Sequence, residues 1–425
     1  MGAPFRHAIM PAMSQSNTTG GQPSLRRSLS LPLTTFYGLG NILGAGIYVL
    51  IGKVVAEAGL FAPASFLLAS LLACLTAFTY AELSARFPLS AGEAVYIQEG
   101  IGIQQVSALV GLLIILAGIV SAATILRGFT GYLQVFVAVP DAVAIPVLVV
   151  MLGGLAAWGI SESVRVAALI TLIEIAGLLL IIWIAAPDLA AARPALSDFE
   201  PLSGTAAWYG IFIGGFLAFY AFIGFEDMVN VAEEVRQPSS NLPRAILMAL
   251  AVSTLLYFLV ALVAVASVPA GELAAVDAPL AYMYQYITGR DPVVITLIGM
   301  FAVINGALIQ IIMASRVCYG MGRKHWLPAV FARVNRLTRT PVVATGVVSV
   351  LVLVMALWLP IETLAKATSY FLLIVFALVN LALWRLKRDV AHPPGVIRIP
   401  LWVPVTGFFA SAAFVVIQGL IDLLN

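Results

Sequence analysis

The sequence predicts an all-α, polytopic membrane protein. Three observations predict it: the composition, the length of the apolar runs, and a glycine-rich segment that has a counterpart five helices further along the chain. Of 425 residues, 62% are hydrophobic and only 10% charged, against about 25% charged in soluble domains, and the mean hydropathy is +1.05. Such a chain has too few polar groups for a water-facing surface, so lipid must be its main solvent. A formal net charge of +2 gives no basic field for nucleic acid. The two cysteines, Cys74 and Cys318, both sit in apolar stretches and make no disulfide framework. The three histidines, His7, His325 and His392, fall in loops or tails. No metal-ligand spacing, nucleophile–base pair or phosphate loop can be assembled from the intramembrane residues. The expectation is therefore a protein that is not an enzyme and carries no metal or resident cofactor.

Residues 1–30 are rich in Ser, Thr, Gly, Gln and Pro and read as a disordered cytoplasmic tail. They lack the short apolar core and small-residue cleavage site of a signal peptide. A spanning helix needs about 20 mainly apolar residues. Eleven segments qualify, near 34–57, 61–84, 104–127, 142–160, 165–186, 208–235, 243–268, 293–320, 342–359, 363–386 and 401–423. Residues 277–288 (DAPLAYMYQYIT) are short and aromatic, which suits a helix lying in the interface, and 88–103 suits a linker helix. Basic residues orient the chain. With the N-terminus in the cytoplasm, 17 of the 22 Lys and Arg fall in the tail or the inner loops. An odd count of eleven then leaves the C-terminus outside an inner, or plasma, membrane.

The first segment carries Gly38, Gly40, Gly44, Gly46 and Gly52, with Gly44-Ala45-Gly46 near its middle. The sixth carries Gly210, Gly214, Gly215 and Gly224, with Phe219-Tyr220-Ala221-Phe222-Ile223 at similar depth. Five helices per unit is an odd number, so a second unit inserts upside down. This predicts a five-plus-five inverted repeat, 31–190 (helices 1–5) and 205–390 (helices 6–10), followed by an additional helix over 398–425. Close packing alone is the competing use of membrane glycines. A helix interrupted in hydrocarbon exposes amide and carbonyl groups at several kcal/mol each, and is tolerated only where they face a cavity or protein. Glycine at 44 and 46 would admit a carboxylate to the N–H groups of the half-helix starting at Ile47. Carbonyls freed at Tyr220, Ala221 and Ile223 would accept from an ammonium group. A ligand with both charges is an α-amino acid, and Gly44→Val or Gly46→Val is expected to block it.

The stretches FYGLGNILGAGIYVLIG (36–52), AFYAFIGFEDMVNVAEEVRQPSSNLPRAI (218–246) and ASRVCYGMGRKHWLP (314–328) resemble helix motifs one, six and eight of the amino acid–polyamine–organocation superfamily of permeases. The resemblance implies the LeuT-like five-plus-five fold, alternating access, and helices 1 and 6 discontinuous. It also implies a substrate touching Ile42, Gly44, Ala45 and Gly46 on one side and Tyr220, Ala221, Phe222 and Ile223 on the other, with Asn305 nearby. Many members have twelve helices, whereas this chain shows eleven segments. A neutral or bulky apolar side chain is expected over a cationic one, since no unpaired acid is evident beside the two poles. An amine or polyamine carrier and an ion-only transporter or channel are the alternatives.

Glu174 lies mid-membrane in ALITLIEIAGLLLIIWI with no cationic neighbour in the segment beyond Arg165. An intramembrane carboxylate is a functional candidate. Several members of the resembled superfamily have lysine at this position, facing carbonyls of the first helix where others hold sodium. A carboxylate repels those carbonyls as an anion. Either it is protonated and donates, making a proton the coupling ion, or it shares a cation such as sodium with Ser315; a merely structural glutamate is the third reading. Glu226, Glu233 and Glu234 are candidates for an inner gate with Arg316 or Arg86, against plain solvated helix ends. Glu82 and Lys53 read as interfacial side chains that reach the headgroups.

Overall fold

A computed structural model gives the fold and describes residues 27, 29–44, 46–89, 92–158, 164–191, 205–336, 338 and 340–424. Most of the expected N-terminal tail and Ala45 lie outside these. Among the described residues every regular element is a helix. The first span is α1 (Leu31–Leu43) and α2 (Gly46–Ala58), and the second is α3 (Ala62–Arg86). A linker helix α4 (Gly92–Ile101) leads to α5 (Gln104–Gln134), α6 (Asp141–Trp158) and α7 (Val164–Ala191). The sixth span is α8 (Thr205–Phe219) continued by two 3₁₀ segments, Tyr220–Phe222 and Glu226–Glu234. Then come α9 (Pro238–Ser267), the short α10 (Ala270–Ala274) and α11 (Pro279–Thr288), α12 (Val293–Arg323), α13 (Val342–Trp358), α14 (Ile361–Asp389) and α15 (Trp402–Leu424).

Helices thus occupy all eleven expected segments, and α11 and α4 fall where interfacial and linker helices were expected. Nine described stretches are long and apolar enough to cross a bilayer, one of them, Leu31–Arg86, taking in both the first and second segments; α13, with 17 residues, is shorter. Proline stands in the first turn of α1, α3, α9 and α11, where its missing N–H costs nothing. The outer surface is aliphatic, and Val150 is 73% exposed. Trp158 and Trp358, at the last residues of α6 and α13, are 77% and 78% exposed, as suits aromatic side chains at a lipid–water interface.

Two sets of helices pack most extensively within themselves. The second span lies along α8 and α9 and the first along α9 and α8, while α5 lies along α12 and α14. The sixth span departs from expectation after its interruption: Glu226–Glu234 is 3₁₀ rather than α-helical. Glu226 turns back to accept the Gly224 N–H at 2.8 Å. The following segment, with Val229, Asn230 and Val231, has little intrinsic preference for an α-helix. Its far end is tied to the entry of the first span by a parallel bridge. Leu29 donates to the Glu234 carbonyl at 3.0 Å and accepts from Arg236 at 2.8 Å.

Glu82 corrects the interfacial reading, being fully buried with Arg86 at 2.6 Å and Lys387 at 2.6 Å. It belongs to a polar stripe on α3. Thr76, Thr79 and Glu82 are spaced by three and share one face. Asn380 of α14 answers the two threonines, donating to Thr76 at 3.0 Å and accepting from Thr79 at 2.6 Å. Lys53, also expected at the interface, pairs with Glu362 at 3.0 Å.

Replacing Asn380 with Ala leaves both threonines facing a buried void and is expected to cost about 1–3 kcal/mol, read as a lower melting temperature of the purified protein. Ser411 is equally buried, but its hydroxyl has no hydrogen-bond partner among the described residues. Ser411→Ala should therefore leave the melting temperature near wild type, so equal losses in the two variants would contradict the assignment.

Candidate functional site

The two interrupted spans meet at their interruptions, and glycine makes the meeting possible on both sides. A Cβ built on Gly46 would overlap Cα and Cβ of Ala221. Reciprocally, Gly224 has φ +125°, and a Cβ there would lie 2.7 Å from the Asn41 carbonyl carbon. Only glycine meets both demands at position 224. Gly44 is different: its angles are still right-handed helical (φ −47°, ψ −46°) and its N–H reaches the Gly40 carbonyl at 3.2 Å. The first helix segment of this span ends at Leu43 and the second begins at Gly46.

A cleft opens beside this contact. It is lined by Asn41, Ile42 and Gly46 of the first span, Ser121 and Ile125 of α5, Tyr220 and Ile223 of the sixth span, and Gly306, Ile309 and Gln310 of α12. Of the expected substrate residues, Ile42, Gly46, Tyr220 and Ile223 line it. Ala221 instead forms the contact with Gly46, and Phe222 packs edge-on to Tyr257, ring centres 5.1 Å apart. Gly44 lies against α12, with the Ala302 carbonyl 3.3 Å from a Cβ built on it. Asn305 is buried one residue before Gly306 and is not among the lining residues. Two of the carbonyls near the breaks are already bonded: Tyr257 donates to Ile42 at 2.6 Å, and Ile223 N–H to Tyr220 at 3.2 Å.

Sequence reasoning missed Asn41, Ser121 and Gln310. Asn41 is the most telling, since both ends of its amide are buried without a hydrogen-bond partner among the described residues, and it borders the cleft. Its signal was its type, the single amide in the glycine-rich run 36–52. Ser121 lies 3.0 Å from the Tyr220 hydroxyl. Gln310 donates to Asp227 at 3.1 Å. With Ser121 and Ile223, Gln310 also lines a second cavity whose wall includes Glu93, Glu226 and Asp227. Three carboxylates, each no more than 5% exposed and each hydrogen-bonded, thus stand in the space adjoining the cleft. Glu93, on α4 outside the spans, accepts from Tyr80 at 3.2 Å, and burial pushes its carboxyl up to about 7.

Glu174 is fully buried, and neither carboxylate oxygen has a hydrogen-bond partner among the described residues. Its neighbours in α7 place its face: Thr171 donates to the Phe36 carbonyl, and Gly177 lies against Tyr48 and Ile298. Glu174 therefore looks toward the first span and α12. The Tyr48 hydroxyl donates to its backbone carbonyl at 2.7 Å. Ser315 spends its proton on the Ile311 carbonyl of its own helix at 2.7 Å, leaving only oxygen lone pairs to offer. The inner-gate pairing does not form among the described residues. Arg316 is exposed on α12, Arg86 is engaged with Glu82, Glu226 binds Gly224, and Glu234 meets the tail through its backbone. The Glu233 side chain lies outside the described residues.

The contact geometry separates two glycines that the sequence treated alike. Gly46→Ala is expected to reduce substrate uptake by at least tenfold, because the methyl forces the two interruptions apart, whereas Gly44→Ala, with its closest contact at 3.1 Å, should retain most of it. Uptake by purified variants of matched size-exclusion profile measures the difference. Equal activity in the two would remove the proposed contact from the mechanism.

A family model described as amino acid permease matches residues 29–422. Among curated proteins the chain is 28% identical to the branched-chain amino acid permease BcaP of Bacillus subtilis, over 91% of this chain and 86% of that one. It is 28% identical to the methylthioribose transporter of the same organism, over 97% and 91%. It is 29% identical to the vacuolar cationic amino acid transporter 2 of Arabidopsis thaliana, over 88% of this chain and 62% of the relative. Among solved structures, a manganese transporter mutant of Eremococcus coleocola shares the fold with a TM-score of 0.59 and 13% identity, over 90% of this chain and 85% of that one. With nearly its whole length matched, this chain belongs to the amino acid permease family.

Proposed function

We propose that this amino acid transporter works by alternating access, with an α-amino acid held in the cleft beside the Gly46–Ala221 contact. The observation that carries the reading is the convergence of two interrupted spans on one cleft. The N-terminus of α2 offers N–H groups and a positive dipole end to a carboxylate. With the Ile42 and Tyr220 carbonyls engaged, the ammonium group is left to the acceptors around Ala221 and Ile223 and to the Asn41 amide. The same reading treats 31–190 and 205–390 as inverted repeats, with 398–425 as an added helix. It places the protein in the plasma, or inner, membrane with its N-terminus in the cytoplasm.

A second reading concerns the substrate side chain. Glu93, Glu226 and Asp227 in the adjoining cavity favour a cationic end over the neutral one expected from sequence. Counterflow of labelled amino acids in proteoliposomes discriminates the two. Leucine exchanging better than arginine supports the neutral reading, arginine the cationic one, and exchange of neither, together with exchange of decarboxylated amines, would move the site to amine transport.

Glu174 is proposed as the coupling group, carrying a proton on the oxygens that have no protein partner. Sodium shared with the lone pairs of Ser315 is the alternative. Under proton coupling, uptake responds to external pH without a sodium requirement, and Glu174→Gln flattens the pH response while exchange persists. A sodium-stimulated wild type whose response disappears in the variant selects the alternative. A variant identical to wild type in rate, pH profile and sodium response would leave Glu174 structural.

A further inference from the structure

We infer that His392 is the pH-sensitive member of a latch that ties the linker between α14 and α15 to the end of α3, on the side proposed as cytoplasmic. The latch is built on one fully buried carboxylate. Glu82 Oε1 accepts from Arg86 Nε at 3.0 Å and Nη2 at 2.6 Å. Its Oε2 accepts from Lys387 Nζ at 2.6 Å and from the Ile399 backbone N–H at 2.8 Å. Lys387 also donates to the Ile399 carbonyl at 2.6 Å. A single acid on the second span thereby holds the last turn of α14 and the far end of its linker. Both cations are largely shielded, with side chains 3% and 10% exposed for Arg86 and Lys387, so the cluster already holds two positive charges on one negative.

His392 sits on top of this cluster, and its surroundings fix the tautomer. Nε2 lies 3.0 Å from the Val396 carbonyl, an acceptor that only an N–H can satisfy. In the neutral ring Nδ1 is then an acceptor, and Arg86 Nη2, at 3.2 Å, donates to it. Protonating Nδ1 changes the sign of this contact. Two donors then face each other across 3.2 Å, and a third cation joins the cluster. Glu82 Oε1 is 3.6 Å away, but both carboxylate oxygens already accept two donors each. The charged groups facing His392 are Glu82 and Arg86 from α3 and Lys387 from α14; Arg385, Arg388, Asp389 and Arg398 are exposed around them. The latch is therefore intact while the ring is neutral and weakens once both ring nitrogens carry a proton, which makes His392 its acid-sensitive member.

The joint crosses between the two sets of helices, since α3 packs with α8 and α9 whereas α14 packs with α5. Separating the ends of α3 and α14 on this side therefore requires the Glu82 cluster to open, and His392 makes the cost of that opening depend on internal pH.

The test needs no substrate. In the full chain with Cys74→Ala and Cys318→Ala, spin labels on the exposed positions Leu89→Cys and Pro394→Cys report the distance from the end of α3 to the linker in lipid nanodiscs. Lowering the pH from about 7.5 to about 6 is expected to raise the undocked population severalfold. His392→Gln, which keeps a donor for Val396 and an acceptor for Arg86 but cannot be charged, should stay docked at both pH values. Glu82→Gln should be undocked at both. A wild type without a pH response, a His392→Gln protein that responds as wild type does, or a docked Glu82→Gln protein would overturn the inference.

Discussion

The structure depends on one contact, the meeting of two interrupted helices backbone to backbone in a medium that solvates neither. Gly46 against Ala221 and Gly224 against Asn41 bring the breaks together from both sides. Breaking a helix in hydrocarbon leaves polar groups that water cannot reach, and tyrosines of the first span, α5 and α9 brace the backbone around the break. Tyr257 donates to the Ile42 carbonyl, Tyr132 to Tyr48 at 2.6 Å, and Tyr48 in turn to Glu174. Three phenols from three spans thus tie down the backbone around the cleft. What remains unbonded there, above all the Asn41 amide, is what the cleft can offer to a guest.

Most of the fold was legible in the sequence, because a span is specified by the length and apolarity of a local run, and both are read residue by residue. The location of the breaks was legible for the same reason, since Gly44-Ala45-Gly46 and the segment ending at Gly224 are local signals. What could not be read was which side chains meet across elements. Nothing in 61–84 says that Glu82 is fully buried, because its partners Lys387 and Ile399 lie some three hundred residues away. Arg316 could pair on paper with an acid of the sixth span, yet its side chain is exposed on α12. Gln310 looked like any polar residue in a long helix until Asp227 was found beside it.

Beside the unpartnered Glu174, the described buried carboxylates differ in how they are held. Glu82 is saturated by donors from α3, α14 and the linker, and such a group acts as a joint: removing one partner leaves another uncompensated charge. Glu93, Glu226 and Asp227 are held instead by neutral donors, among them a tyrosine hydroxyl, a backbone amide and a glutamine. Neutral donors leave the charge of an acid largely uncompensated, so these positions are sensitive to any proton or cation that reaches their cavity.

The short bridge between Leu29 and the 234–236 segment sets the kinematics of the two broken spans. Without it, the half-helix that begins at Leu31 and the 3₁₀ half that ends at Glu234 would each swing on its own glycine hinge. The paired backbone bonds at their outer tips, together with Met228 filling the groove over Gly38, join the two into a closed four-cornered linkage. Joined at both ends in this way, neither half can tilt without breaking these bonds or carrying the other with it.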